Sequence, residues 1–241
     1  MSELVLVPGV NNTRETWTGV IAALPATIVS HPVDCAALPS VEAIAADLLE
    51  QAPPRFHLAG FSFGGYVALA MLEQAPERIE GLALICTSSF ADTEQQKAAR
   101  DAAVAAAERG EHMKLVEGPG AIALHPDAAS DPAISALRLR IARDYGEKRF
   151  IAHQYASKAR PDRTVLLATA SMPCLLVAAE DDRVIPLDTM RRMQLSAPRT
   201  QWVSVPRAGH LLPIEQPAVL AEALSRWIES SQSMQRRGRA S

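Results

Sequence analysis

No run of eighteen consecutive apolar residues occurs in this chain, so no membrane-spanning helix is expected. Neither sign of charge dominates: 24 Lys and Arg stand against 27 Asp and Glu, a formal net charge of -3, and no long basic stripe crosses the body of the sequence. That balance argues against nucleic acid or an anionic membrane as the main partner and favours a small molecule. Cysteine is scarce. Cys35, Cys86 and Cys174 lie far apart, in or beside apolar runs, which suits reduced, buried thiols rather than a disulfide framework or a zinc site. The opening MSELVLVPG has neither the basic start nor the extended apolar core of a secretory signal, so a soluble, cytoplasmic protein is expected. Internal repeats and extended low-complexity segments are missing too, and 241 residues suit one domain, with or without an insertion.

What is present is an alternation. Leu4 to Val7 is an apolar run that stops at Pro8-Gly9, as a buried parallel strand does before a loop. Trp17, Val20, Ile21 and Leu24 recur at helical spacing, Ala26 to Val33 reads as a strand, and Leu38 to Gln51 as a helix entered through Ser40. A strand through Phe56, Leu58 and Ala59, a helix through Tyr66 to Met71 and a strand from Ile79 to Cys86 follow. After Phe90 the pattern is helical for about eighty residues, and Ile134, Leu137, Ile141 and Tyr145 share one helix face. Alternation resumes with strands at Cys174 to Ala179 and Thr200 to Val205, and Glu215 to Ser230 reads as a closing helix. The fold class expected is α/β, a mostly parallel doubly wound sheet with an inserted helical cap. Residues 1–90 and 171–231 would form the core, 91–170 the cap, and 232–241 a flexible basic tail.

The most informative stretch is Gly60-Phe61-Ser62-Phe63-Gly64, a G-x-S-x-G pentapeptide between strand and helix. A Ser on so tight a turn needs small neighbours two residues away on either side, and Gly60 and Gly64 are those neighbours. Ser62 would then sit at the N-terminus of a helix, where free N–H groups, that of Phe63 among them, face a developing oxyanion. The alternative is a Gly-rich turn carrying an ordinary serine. The Asn-rich loop from Gly9 to Thr16 offers a second backbone donor, Val10, provided Gly9 lets the main chain turn its N–H inward; otherwise it is an ordinary turn. In an open parallel sheet functional groups collect at the carboxyl ends of strands. Gly9-Val10, Ser62-Phe63, Asp182 and His210 all fall there. A serine nucleophile needs a base and the base needs a carboxylate, and their chain order here is Ser, Asp, His.

GFSFGG, EDDRVIP and AGHLLPIEQP, with the strand order, resemble the α/β-hydrolase superfamily over nearly the whole chain, and most closely its small bacterial carboxylesterases and enol-lactonases with a helical cap. The resemblance places the acid at Asp182, four residues before Pro186, rather than at its neighbours Glu180 and Asp181. It places the histidine at His210, followed by Glu215 and Pro217. It implies a serine hydrolase that cleaves a small ester or lactone through an acyl-enzyme, with Ser62, Asp182 and His210 as the triad, Val10 and Phe63 as oxyanion donors, and no cofactor or metal. Other chemistries share this triad: carbon-carbon bond hydrolysis, perhydrolysis and thioester cleavage. A slow-turnover ligand-binding or signalling protein is a further alternative. The chain departs from the family at Pro8-Gly9, where His-Gly is common, at His31 to Asp34 in place of an R-G-x-G turn, and in starting directly on the strand before the oxyanion loop.

The other histidines carry little: His57 reads as packed core, and His31, His112, His125 and His153 have no metal-like spacing with Cys or acids, with a cap histidine able to line a pocket. Lys158 has no elbow beside it to form a Ser-Lys pair. Arg140 and Arg143, opposite the apolar stripe, read as a solvated face before they read as anion binders. Oligomeric state and substrate identity are not encoded in any motif, and Arg236, Arg237 and Arg239 support a nucleic-acid contact only weakly.

Overall fold

The structure is a computed structural model that describes the backbone of residues 1–239 and the side chains of residues 1–232. The basic tail expected over 232–241 therefore lies almost entirely outside the described side chains. Strands β1 (Ser2–Val7), β2 (Ile28–Pro32), β3 (Phe56–Phe61), β4 (Ile79–Ile85), β5 (Cys174–Ala179) and β6 (Gln201–Val205) form one sheet in the order β2-β1-β3-β4-β5-β6. All of its pairings are parallel. Helices α1 (Thr18–Ala23), α2 (Val41–Gln51) and α3 (Phe63–Gln74) link the first four strands.

The sheet is buried on both faces, which is why its central strands read as continuous apolar runs. Successive side chains alternate between two cores. Val5, Val7, Leu58, Leu84 and Leu176 pack on α2 and α3 through Ile44, Leu48, Val67 and Met71. Leu4, Leu6, Phe61, Ile85 and Val177 face the other way, against Trp17 and Val20. Ser40 caps α2 by accepting the Ala43 N–H at 3.3 Å, as the sequence predicts. Its removal would leave that donor unpaired.

Between β4 and β5 the chain runs through α4 (Glu94–Glu108), α5 (His112–Glu117), α6 (Pro126–Ala129), α7 (Pro132–Ala159) and α8 (Thr164–Thr169), with no strand among them. The first of these begins earlier than the Ala-rich run suggests, because Thr93 and Gln96 form a reciprocal capping box. The long α7 is interrupted at Gly146, whose φ of 78° breaks the helical path in a conformation that other residues adopt at a cost. After β5, α9 (Leu187–Ser196) returns to the α2/α3 side through Met190 and Met193. The closing helix expected over Glu215 to Ser230 is α11 (Pro217–Arg239), which opens on a proline with no N–H to extend a preceding helix; a separate short helix, α10 (Leu212–Glu215), stops at Gln216 before it. Leu220, Leu224 and Trp227 of α11 complete the second core. Among the described residues no helix is long and apolar enough to cross a membrane. Cys35, Cys86 and Cys174 are free and buried, and burial pushes the thiols of Cys35 and Cys174 up to about 12.

Candidate active site

The chain reverses its direction of travel across the sheet between β1 and β3, which are neighbours. The crevice at the carboxyl ends of those two strands is where such sheets bind ligands. Gly9 follows β1 there and Ser62 follows β3. Ser62 has φ 53° and ψ -119°, a strained conformation for a residue with a side chain. Its surroundings hold it in place: the Ser62 N–H donates to the Ile85 carbonyl at 2.9 Å, and its own carbonyl accepts from Thr87 Oγ1 at 2.6 Å and from the Gly65 N–H at 2.8 Å. The turn closes because its flanks lack side chains. A Cβ on Gly60 would lie 2.4 Å from the Gly64 carbonyl oxygen, and one on Gly64 would lie 2.2 Å from that of Val7.

His210 Nε2 is 2.9 Å from Ser62 Oγ, and His210 Nδ1 is 2.8 Å from Asp182 Oδ2. An ionised Asp182 can only accept, so Nδ1 carries the proton and Nε2 presents a lone pair to the Ser62 hydroxyl. Asp182 Oδ1 accepts the N–H groups of Val184 and Ile185 at 2.7 and 2.8 Å, so the carboxylate is held on both oxygens. Asp181, by contrast, is half exposed, 3.7 Å from His125 Nε2. The His210 loop is tied down by Glu215, whose Oε2 accepts from the Gly209 N–H at 2.9 Å and the His125 N–H at 3.0 Å. Burial raises the Glu215 carboxyl, and those backbone donors work against the rise.

The loop after β1, which carries the candidate donor Val10, makes its turn at an asparagine. Gly9 does not supply the left-handed residue; Asn11 does, with φ 59°, in a turn closed by the Asn12 N–H on the Gly9 carbonyl at 3.2 Å. Asn tolerates that region better than most residues with side chains. At Gly9 space is tight, since a Cβ there would meet Ser62 Cβ at 3.1 Å and the Phe61 ring at 3.2 Å. Val10 and Phe63 line the same cavity as Ser62 and His210. As the first residue of α3, Phe63 has an N–H with no acceptor within its helix. His112 reaches across from α5 to Asn11 Oδ1 at 2.7 Å and so braces the turn.

The cavity measures about 410 Å³ and is closed on one side by the helices between β4 and β5, which contribute Arg100, Val116, Arg138, Ala142 and Phe150. That size is ample for a small organic substrate. Behind Arg100, Asp92 is fully buried between two cations, Arg100 and Arg160, the latter at 2.6 Å. Burial alone would raise the Asp92 carboxyl, but the two guanidinium groups outweigh it and hold it below the usual range. Arg140 and Arg143 fall on the solvent side, paired with Glu15 and Glu117. Sequence reasoning passed over Arg138. Its signal was position, since 134, 137, 138, 141 and 145 form one stripe on α7, with an arginine among apolar residues.

His57 is core, edge-on to Trp227 at 5.4 Å. His153, in the insertion, stacks on the Phe63 ring at 4.6 Å and 18°. Its Nε2 donates to the Ala36 carbonyl, which can only accept, so in the neutral ring Nδ1 accepts from the Tyr145 hydroxyl. Burial lowers its pKa from 6.5 to about 4. The unfolded chain therefore takes up a proton that the folded one refuses, and stability should fall by ~3 kcal/mol as pH drops from about 6.5 to 4. Urea denaturation across that range checks this, and His153→Gln should flatten the dependence; an unchanged slope in the variant would assign the acid sensitivity elsewhere. Among the described residues no group of His, Cys, Asp and Glu is arranged to hold a metal ion.

Comparison with known proteins shows the family of this chain. The profile described as Alpha/beta hydrolase family matches residues 4–223. The chain is 23% identical to the pimeloyl-[acyl-carrier protein] methyl ester esterase of Nitrosomonas europaea, over 86% of this chain and 88% of that protein. It is also 23% identical to an uncharacterized hydrolase of Bacillus subtilis, over 71% of this chain, where the match spans only 64% of the relative's length. Among solved structures, a thermophilic esterase from Thermogutta terrifontis superposes with a TM-score of 0.84 at 25% identity, covering 96% of this chain and 90% of the other.

Proposed function

The chain is an enzyme of the alpha/beta hydrolase family, and from that premise we propose that it hydrolyses a small carboxylic ester or lactone through an acyl-enzyme on Ser62. The observation that carries this reading is the relay from Ser62 Oγ to His210 Nε2 at 2.9 Å and from His210 Nδ1 to Asp182 at 2.8 Å, opening into a cavity of about 410 Å³. Ser62 Oγ attacks the carbonyl carbon while its proton passes to His210 Nε2. The charge that collects on the carbonyl oxygen is met by the N–H groups of Val10 and Phe63, both of which line the cavity beside Ser62. Collapse of the tetrahedral intermediate breaks the bond to the leaving oxygen, which takes the proton from His210. A water then gives a proton to His210, attacks the acyl carbon and releases the acid, and the proton returns to Ser62. Asp182 stabilises the imidazolium in both halves and stays ionised. Residues 91–170 act as the cap that roofs this chemistry and selects the acyl group.

The test is a panel of p-nitrophenyl esters of short and long acyl chains, with lactones beside them, at large excess over enzyme. At least one should turn over repeatedly with kcat of about 1 to 1000 per second. A burst of one equivalent without steady-state turnover across the panel, together with strong ligand stabilisation of Ser62→Ala, would replace the hydrolase by a ligand-binding protein.

A further inference from the structure

The protein carries a net negative charge, yet its cavity does not share that sign. Among the described residues that line it there is no Asp or Glu, while two arginines, Arg100 and Arg138, are present. The two arginines differ in how far they are already engaged. Arg100 directs Nε and Nη2 to Asp92 and Nη1 to the Gln154 side chain at 3.0 Å, and it shares Asp92 with Arg160. One buried carboxylate thus faces two guanidinium groups, which leaves this wall with a net positive charge. Arg138 is committed to far less: its Nη2 donates to the Val116 carbonyl, and no carboxylate among the described residues pairs with it. Glu117, whose charge acts on it through space, is engaged by Arg143 at 3.5 Å. Placing a guanidinium on an apolar helix stripe with one carbonyl as partner is costly unless something else meets its charge.

Resting on the hydrolase reading above, we infer that the substrate is an ester or lactone bearing a free carboxylate away from the scissile bond, and that Arg138 binds that carboxylate, with the charge surplus at Arg100 adding to the attraction. A guanidinium fork with most of its donors free matches the two oxygens of a carboxylate, which lie in one plane. The donors of Arg100 are taken, so only Arg138 offers a free fork, and one fork suits one carboxylate, with the Arg100 wall acting at a distance. The low polarity contributed by Val116, Ala142 and Phe150 strengthens the pairing over what it would be in water. Arg138 is then a binding residue that also orients the substrate, since anchoring one end fixes where the carbonyl carbon lies relative to Ser62.

The decisive comparison uses the mono-p-nitrophenyl ester of adipic acid and its counterpart in which the far carboxyl is a primary amide. The wild-type enzyme should prefer the charged ester by about 10- to 100-fold in kcat/KM, and that preference should weaken with added salt. Arg138→Met should bring the ratio between the two esters close to one, and Arg138→Lys, which keeps the charge but loses the fork, should fall between. Because each protein is its own control, a partly destabilised variant still gives a valid ratio. Turnover of both esters with no preference, or a preference that survives Arg138→Met, overturns the carboxylate site and leaves the hydrolase reading intact. If the wild type turns over neither ester, the hydrolase reading fails for this class, and calorimetry with adipate decides the site alone. Adipate should bind the Ser62→Ala protein at least about 10-fold more tightly than Ser62→Ala combined with Arg138→Met. Equal binding overturns the proposal.

Discussion

Ser62→Ala is expected to lower kcat on the order of 10⁵-fold, about 7 kcal/mol of barrier, and to abolish the single adduct that a fluorophosphonate forms with the wild-type chain. The size follows from the proposed mechanism: without Oγ no covalent intermediate could form, and only the proposed oxyanion donors and the cavity would remain to favour water attack. The fold should survive the change. The contacts that secure the elbow are made by the Ser62 backbone, to Ile85, Gly65 and Thr87, whereas Oγ bonds to His210 alone. Alanine bears the same positive φ as serine, so melting temperature should barely move and loss of activity can be read as loss of chemistry. Among the described residues, the other serine lining the cavity is no substitute nucleophile. Ser157 lines the same cavity, but its hydroxyl donates to the His153 carbonyl at 2.7 Å. Intact-mass spectrometry after labelling settles the assignment: an adduct on Ser62→Ala, or turnover within tenfold of wild type, would place the nucleophile elsewhere.

The parts of this architecture that could be read from residues alone are those in which one local physical demand selects a residue type. Buried parallel strands demand apolar runs, and Leu4 to Val7 and Cys174 to Ala179 are such runs. A strand-to-helix turn whose backbone atoms nearly touch demands glycine at 60 and 64, where an added Cβ would come within 2.4 Å of a carbonyl oxygen. The choice of Asp182 over Asp181 came from family spacing, and the geometry that distinguishes the two, backbone donors from Val184 and Ile185, is created only once the loop after β5 has folded. What stayed hidden depends on elements distant in sequence. His112 bracing Asn11 joins residues a hundred positions apart, and neither residue carries a local signal of it. His153 meets Phe63 only when α7 folds over α3. The turn after Gly9 was legible only as a permissive loop: that Asn11, two residues on, takes the left-handed position, and that space beside Phe61 is tight at Gly9, emerge only in the fold. Arg138 was visible as an oddity on an apolar stripe, but its meaning required the cavity it borders.

Asp182→Asn is expected to reduce kcat on the order of 10⁴-fold, while Asp181→Asn leaves it little changed. The reason is a proton placed on the wrong nitrogen. In the folded site Oδ1 of residue 182 receives two backbone N–H groups, from Val184 and Ile185. An asparagine must put its carbonyl oxygen there, because its amide nitrogen would confront those donors with its own hydrogens. The amide nitrogen is then turned toward His210 Nδ1, where Asp182 Oδ2 lies at 2.8 Å. It can only donate, so Nδ1 must become the acceptor and the ring proton moves to Nε2. Nε2 now donates to Ser62 and cannot take its proton, and the imidazolium that would form has lost its counter-charge. The substitution changes few atoms and should leave the fold intact, since the backbone donors keep an acceptor. Asp181 makes no contact with His210, and its half-exposed carboxyl lies 3.7 Å from His125, so its loss removes only a weak surface pairing. Steady-state kinetics on the two variants rank them, and ¹⁵N chemical shifts of the His210 ring report which nitrogen holds the proton. If Asp182→Asn keeps a tenth of wild-type kcat, or the ring shows the same tautomer as wild type, Asp182 does not orient His210; if Asp181→Asn is the more damaging, the acid is Asp181.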